Sequence, residues 1–288
     1  MCGIGGFLGA RPMPAAESEA RLSAMVAALR HRGPDDEGIW TDGRAGLAHA
    51  RLSIIDLSPL AHQPMASADG TVWIAYNGEI YNFAEIRRDL EAAGYAFRSR
   101  SDTEVIVNGW HAWGPRIFSR LNGMFALALW DRRSRRLVLA RDRIGKKPLY
   151  YTRAPARLTF ASEIKALFAW PDIGRTADLS AIDRYLTLGY VPAPATAFAD
   201  IEKLPPAHYL SIGLAGDGAL GAPQLVRYWR LSEPGAPARP PAVAQLCGEV
   251  VARLEAAVRR RLVADVPLGA FLSGGVDSSS VVAMMARA

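Results

Sequence analysis

Short apolar runs that alternate with polar residues, each closed by Gly, Pro, Asn or Asp, fill roughly the first two hundred residues, and that period of two constrains the chain to a sheet-built fold. Strands are expected at 4–8, 45–51, 72–76, 124–130, 136–141 and 158–161. Two helix starts lie between them. Asn82 with Glu85 reads as a capping box ahead of Phe83, Ile86, Leu90 and Ala93, and Ser101 with Glu104 repeats it ahead of Val105, Ile106 and Trp110. Hairpins mixed with helix pairs predict an α+β layered domain.

A chain of 288 residues has room for two ordinary domains. From 213 to 241 the composition shifts to Gly, Pro and Ala, broken by a short strand-like stretch at 225–229. The expected division is a domain at 2–212, a linker at 213–241 and the start of a second domain at 242–288. The last holds a helix at 242–262, a buried strand at 267–272, a glycine turn and a further helix. Gly216, Gly218 and Gly221 fit G-x-G-x-x-G, but no helix pattern follows them, so they read as a loop.

Several function classes drop out. Half of the residues are hydrophobic and 22% charged, as in an ordinary globular enzyme. The apolar run 124–130 is too short to cross a bilayer, and no basic residue precedes Arg11, so neither a membrane span nor a secretory signal is expected and the chain reads as cytoplasmic. The net charge of +6 comes from dispersed arginines, densest at 132–136 and 259–261, which predicts a solvated surface and no nucleic-acid partner. The five histidines are scattered and no Cys/His cluster suggests a metal. Of the two cysteines, Cys247 lies among Leu246, Val250 and Leu254 and is expected to be a buried small hydrophobe.

The other is Cys2, in Met1-Cys2-Gly3-Ile4. Removal of Met1 would give one residue both a thiol and a free α-amine, whose ordinary pKa near ~8 lets it take the thiol proton at neutral pH. Further pieces follow in order: His31-Arg32-Gly33-Pro34-Asp35, His49-Ala50-Arg51-Leu52-Ser53-Ile54, Tyr76-Asn77-Gly78-Glu79-Ile80-Tyr81-Asn82, Ser101-Asp102-Thr103-Glu104, Asn122-Gly123-Met124-Phe125-Ala126, Arg141-Asp142-Arg143-Ile144-Gly145 and Ala161-Ser162-Glu163-Ile164-Lys165-Ala166-Leu167. Together they resemble the class II glutamine amidotransferases, N-terminal-nucleophile hydrolases with a four-layer αββα fold, and Pro34-Asp35 points to the asparagine synthetase branch.

The resemblance implies that Cys2 attacks the glutamine amide and that Asn77 and the Gly78 N–H hold the resulting oxyanion. Read by itself, Asn77-Gly78 after a strand also fits a type I′ hairpin turn. The resemblance further implies that Arg51 binds the α-carboxylate of glutamine and Asp102 its α-ammonium group, with Glu79 also in the glutamine site. Alone, Arg51 fits a surface arginine and Asp102 a first-turn carboxylate favoured by the helix dipole.

Near the far end, Leu272-Ser273-Gly274-Gly275-Val276-Asp277-Ser278 leads from the expected strand into a helix. Glycines that allow close backbone approach, and N–H groups at a helix start, suit an anion. The stretch resembles the pyrophosphate loop of ATP pyrophosphatases, here the truncated start of an α/β domain, with Leu272, Ser273, Gly274, Gly275, Asp277 and Ser278 implied as the ATP/pyrophosphate-binding residues. The order of the two parts is that of glutamine-dependent asparagine synthetases. It implies glutamine, aspartate and ATP as small-molecule partners, ATP and Mg²⁺ for the second half alone, and only the glutaminase half from this chain by itself. Amide transfer to another carboxylate, such as a sugar acid or a cell-surface component, and a non-catalytic glutamine-sensing role stay open, as does a homodimer.

Overall fold

A computed structural model describes residues 1–233 and 242–288 and divides into two compact units, Met1–Arg230 and Leu231–Ala288. The first unit contains two six-stranded antiparallel sheets. One runs β10(Glu202–Lys203), β8(Tyr150–Ala154), β9(Arg157–Ala161), β1(Gly3–Gly9), β3(Ala45–Arg51), β2(Asp36–Thr41). The other runs β12(Gln224–Arg227), β11(His208–Gly213), β7(Arg136–Arg141), β6(Gly123–Asp131), β5(Val72–Ile80), β4(Met65–Ala66).

Side-chain alternation explains the stacking. Ile4 and Leu8 of β1, Leu47 of β3, Ala75 of β5 and Ala126 and Ala128 of β6 face inward to form the core between the sheets. Residues of opposite parity face helices. Phe7, Ala48 and Ala50 pack against α1(Ala15–Leu29) and α5(Ile164–Leu167), while Ile74, Tyr76 and Ile80 pack against α2(Phe83–Ala92), α3(Asp102–Trp113) and α4(Ile117–Arg120). Helix, sheet, sheet, helix is the four-layer α+β arrangement expected. α6(Leu179–Leu188) completes the helices of this unit.

All six expected strands of the first unit form: β3 and β7 have the expected bounds, and β1, β6 and β9 are a residue longer at one or both ends. The largest difference is β5, which continues to Ile80 and carries Asn77-Gly78 in mid-strand, paired with Ala126 and Phe125 of β6, so the turn reading is wrong. A Cβ on Gly78 would stand 2.3 Å from Met124 O, so close backbone approach sets the need for glycine here. The segment 213–230, expected as linker, adds β12 to the edge of the second sheet; 234–241 of that linker lies outside the described residues.

The capping boxes also differ. Asn82 does not cap α2; its Oδ1 accepts from Asn122 N at 2.8 Å and its Nδ2 donates to Arg120 O. Ser101 caps α3 by accepting from Thr103 N, whereas the Glu104 carboxylate accepts from the backbone N–H groups of Arg98 and Ser99 instead of reaching back to Ser101.

In the second unit α7(Val243–Arg259) packs against α8(Val276–Arg287). Residues 267–272 form no strand there and Phe271 is wholly exposed. A strand exists by pairing, and none of the described residues pairs with this segment. Cys247 is likewise exposed, because Leu246 and Val250 on its helix have no apolar cover among the described residues.

Candidate active site

A cavity of about 330 Å³ opens at one end of the sandwich and is lined by Cys2, Arg51, Asn77, Gly78, Glu79 and Asp102, among others. The six residues expected at a glutamine site, drawn from four elements, thus converge. Strand parity accounts for it. Cys2 continues the inward parity of Ile4, Arg51 that of Leu47, and Asn77 that of Ala75, so all three point between the sheets. Gly3 pairs with Ala50, which sets Cys2 opposite Arg51.

The Cys2 sulfur accepts from Leu52 N at 3.4 Å, and Arg32 Nε donates to Cys2 O at 2.9 Å while its Nη1 grips Glu163. Ser162 closes the clamp, its Oγ accepting from Ile4 N and its N–H donating to Ile4 O. Glu163 also meets His31 and Lys165, and these hydrogen bonds outweigh its partial burial and hold its carboxyl near 2. Burial pushes the Cys2 thiol up, against the Leu52 N–H, and burial pulls the neighbouring terminal amine, here that of Met1, down.

β5 presents its donors in sequence. In an extended strand N–H groups two residues apart share a side, and on the side away from β6 Tyr76 N donates to Gln63 Oε1 at 2.7 Å and Ile80 N to Asp102 Oδ2 at 2.9 Å. Gly78 N lies between these two, and its pair residue Phe125 directs N–H and C=O at Asp142 instead. Asn77 Nδ2 is buried without a partner. A side-chain donor and a backbone donor without partners among the described residues thus line the same cavity as Cys2.

Asp102, in the first turn of α3, is buried and accepts from Tyr76 Oη at 2.8 Å as well as from Ile80 N. Burial prevails over those donors and raises its carboxyl to about 6. Arg51 Nη2 donates to Asp56 O at 2.5 Å, and Asp56 Oδ2 accepts from Arg100 N, tying the 52–58 loop to the start of α3. Buried His49 is held neutral, its pKa near 4, and gives its Nε2 proton to Tyr76 O.

Comparison with known proteins places this geometry. The family model for the glutamine amidotransferase domain matches residues 1–229, and that for asparagine synthase matches residues 249–288. The chain belongs to the glutamine amidotransferase domain family. It is 37% identical to asparagine synthetase [glutamine-hydrolyzing] 3 of Bacillus subtilis over 99% of this chain and 45% of that protein, and 35% identical to amidase chry2 of Gibberella zeae over 100% of this chain and 43% of that one. It spans less than half the length of these curated relatives. Among solved structures, the glutamine phosphoribosylpyrophosphate amidotransferase of B. subtilis, complexed with ADP and GMP, superposes with a TM-score of 0.54 at 19% identity over 79% of this chain and 49% of that one, a likeness of fold.

The amidotransferase pocket contains residues that sequence reasoning passed over. Gln63, Tyr76 and Lys147 line it, yet each stood in the sequence as an amide, an aromatic or a cation without an apparent partner. The residues expected to form a pyrophosphate loop lie in the second unit. Gly275 caps α8, Gly274 has φ +82°, Leu272, Ser273 and Asp277 are exposed, and the Ser273 and Ser278 hydroxyls are 3.0 Å apart.

Proposed function

We propose that the first unit hydrolyses glutamine to glutamate and ammonia with Cys2 as nucleophile, and that in the whole protein the ammonia amidates aspartate activated by ATP. The observation that carries the first step is the shared cavity: the Cys2 sulfur, the partnerless Asn77 Nδ2 and the Gly78 N–H meet at one end, with Arg51 and Asp102 beside them.

In this reading Met1 is removed and the α-amine of Cys2 takes the thiol proton. The thiolate adds to the γ-carboxamide carbon, and Asn77 Nδ2 with Gly78 N–H accept the charge that develops on oxygen. Collapse breaks the C–N bond, the amine returns its proton to the departing ammonia, and water cleaves the thioester to glutamate. Arg51 Nε and Nη1, left by the loop contacts of Nη2, suit the α-carboxylate, and Asp102 with Glu79 suits the α-ammonium group.

For the second step the fit is to the nucleotide's pyrophosphate: the first-turn N–H groups of α8, the close approach allowed at Gly274 and the paired Ser273 and Ser278 hydroxyls would hold it. ATP would supply the adenylate that activates a carboxylate, with Mg²⁺ offsetting the phosphate charge. Aspartate as acceptor rests on the asparagine synthetase relatives; a homodimer and a cytoplasmic location belong to the same proposal. The similarity to amidase chry2 supports a second reading in which the same hydrolysis feeds another carboxylate.

Cys2→Ala tests the core of the proposal. Glutamate release should vanish while glutamine still binds by calorimetry, since Arg51 and Asp102 remain. Hydrolysis that survives the substitution, or survives an extension ahead of Cys2, would sink the N-terminal-nucleophile reading.

A further inference from the structure

Lys147 stands in the same cavity, nearly buried, and its ammonium makes no hydrogen bond or ion pair among the described residues. The ammonium borders the cavity, and burial of the side chain lowers its pKa from the ordinary lysine value while nearby Glu79 acts against that, so its placement needs a cause. The 142–149 loop that carries it is built to keep it there. Asp142 accepts from the N–H groups of Phe125, Ile144, Lys146 and Lys147, and Arg141 donates to the carbonyls of Gly145, Lys147 and Leu204. Both peptide groups of Lys147 are thereby clamped, and the residue lines the cavity together with Cys2.

The charged groups facing the terminal amine, which is that of Met1 here and lies one residue before the Cys2 amine, are the Cys2 thiol, Lys147 from the loop, and Arg32 and Asp35 from the 30–35 turn. Those facing Lys147 are Glu79 of β5, Cys2, Arg32 and Asp142. Glu79 is the nearest counter-charge in effect but forms no ion pair, so the positive field of Lys147 reaches the amine and the thiol together.

We propose that Lys147 is a positioning residue of the glutamine hydrolysis, its clamped and partnerless ammonium holding the α-amine of Cys2 in the free-base form that accepts the thiol proton. This rests on the reading of Cys2 as nucleophile. A fixed positive charge beside an amine disfavours a second one there, and burial adds to the effect. The same charge favours the thiolate, so the amine and thiol lose their protons as a coupled pair at lower pH than they would alone.

The test uses the 288-residue chain with Met1 removal verified by intact mass and Cys247→Ala to silence the exposed thiol. Lys147→Met and Lys147→Arg are compared with that parent in two readouts: the pH dependence of kcat/KM for glutamine, and the pH dependence of Cys2 alkylation by iodoacetamide, which needs no substrate. In Lys147→Met the acid limb of both should move up by about 0.5 to 1 pH unit, so that hydrolysis at pH 6.5 falls roughly 3- to 10-fold further than at pH 9. Lys147→Arg should keep the parent limb. A uniform loss across pH, or a rise in KM alone with both limbs in place, overturns the proposal. A parent that alkylates normally but releases no glutamate overturns the hydrolysis reading instead, and the alkylation limb then still decides the role of Lys147.

Discussion

Tyr76 Oη donates a hydrogen bond to Asp102 Oδ2 at 2.8 Å, joining the middle of β5 to the first turn of α3 across 26 positions of sequence. The second donor to the same oxygen is Ile80 N. Even so, burial leaves the carboxyl at about 6, so the charge proposed to bind an ammonium group is only marginally stable near neutrality. Tyr76→Phe removes one donor and should push Asp102 higher. Glutamine affinity, followed by calorimetry between pH 5 and 8, is expected to fall off below about pH 6 in the parent and at higher pH in Tyr76→Phe, with KM at pH 7 raised several-fold and kcat little changed. Coincident profiles would remove Asp102 from ammonium binding.

Asp102→Asn should separate function from stability. A carboxyl raised in the folded state from 3.8 to about 6 favours folding at acid pH; that advantage is lost as pH rises through the folded value. Above it the ionised form costs roughly 3 kcal/mol relative to a neutral group. An amide oxygen can still accept from Tyr76 and Ile80. The variant should therefore be more stable than the parent at pH 8, by up to about that amount, with the difference shrinking toward pH 4, while KM for glutamine rises. Urea midpoints at the two pH values check the sign.

Asn77→Ala isolates the side-chain donor. Nδ2 has no partner among the described residues, so its loss should leave the unfolding midpoint almost unmoved. Turnover should drop by about a hundredfold or more with KM near its parent value, as for removal of one oxyanion donor. A large KM effect with normal turnover would reassign Asn77 to ground-state binding.

The six residues that share the cavity were each singled out in the sequence because each sits in a local motif, and their convergence follows from strand parity once the sheets pair. What parity cannot give is the edge. The edge strands β2 and β10, and β8 beside β10, are short or carry charged residues such as Asp36, Arg153 and Glu202, so their apolar alternation is weak. Asn77-Gly78 was ambiguous for a related reason: the dipeptide that favours a tight turn also fits a strand pressed against its neighbour, and only the pairing from Val72 to Ile80 with Asp131 to Gly123 selects the second. The contact of Tyr76 with Asp102 and the place of Lys147 in the cavity went unread because the residues they meet lie far along the chain. The segment 267–272 is the converse case, an apolar run whose strand needs neighbours that the described residues do not include.

Gly78→Ala should act through the backbone. Its Cβ would stand 2.3 Å from Met124 O and 2.8 Å from Phe125 Cα, atoms of the facing strand that cannot rotate away. β5 must then separate locally from β6, at a cost of about 1–3 kcal/mol. The shift also displaces the Gly78 N–H and the Asn77 amide together, so turnover should fall more than in Asn77→Ala, and the unfolding midpoint should fall as well. A variant with normal stability would show that β5 tolerates a side chain here.

Asp142→Ala tests the clamp from below. Its carboxylate accepts from four backbone N–H groups, those of Phe125, Ile144, Lys146 and Lys147, and it is buried. Removal leaves those donors without acceptors, at about 1–3 kcal/mol for each one that stays dry, and the loop should open to water to satisfy them. Chemical denaturation should therefore show a loss of several kcal/mol, bounded by how far the loop can hydrate. Arg141 still holds the carbonyls of Gly145, Lys147 and Leu204, so the loop stays tethered while the side chain of Lys147 loses its fixed direction. At a temperature where the variant is fully folded, hydrolysis should show the same upward shift of the acid limb as Lys147→Met. Combining Asp142→Ala with Lys147→Met should add nothing further to that shift, since residues acting through one group are not additive. An additive pair of shifts would mean that Asp142 reaches the nucleophile by a route that does not pass through Lys147.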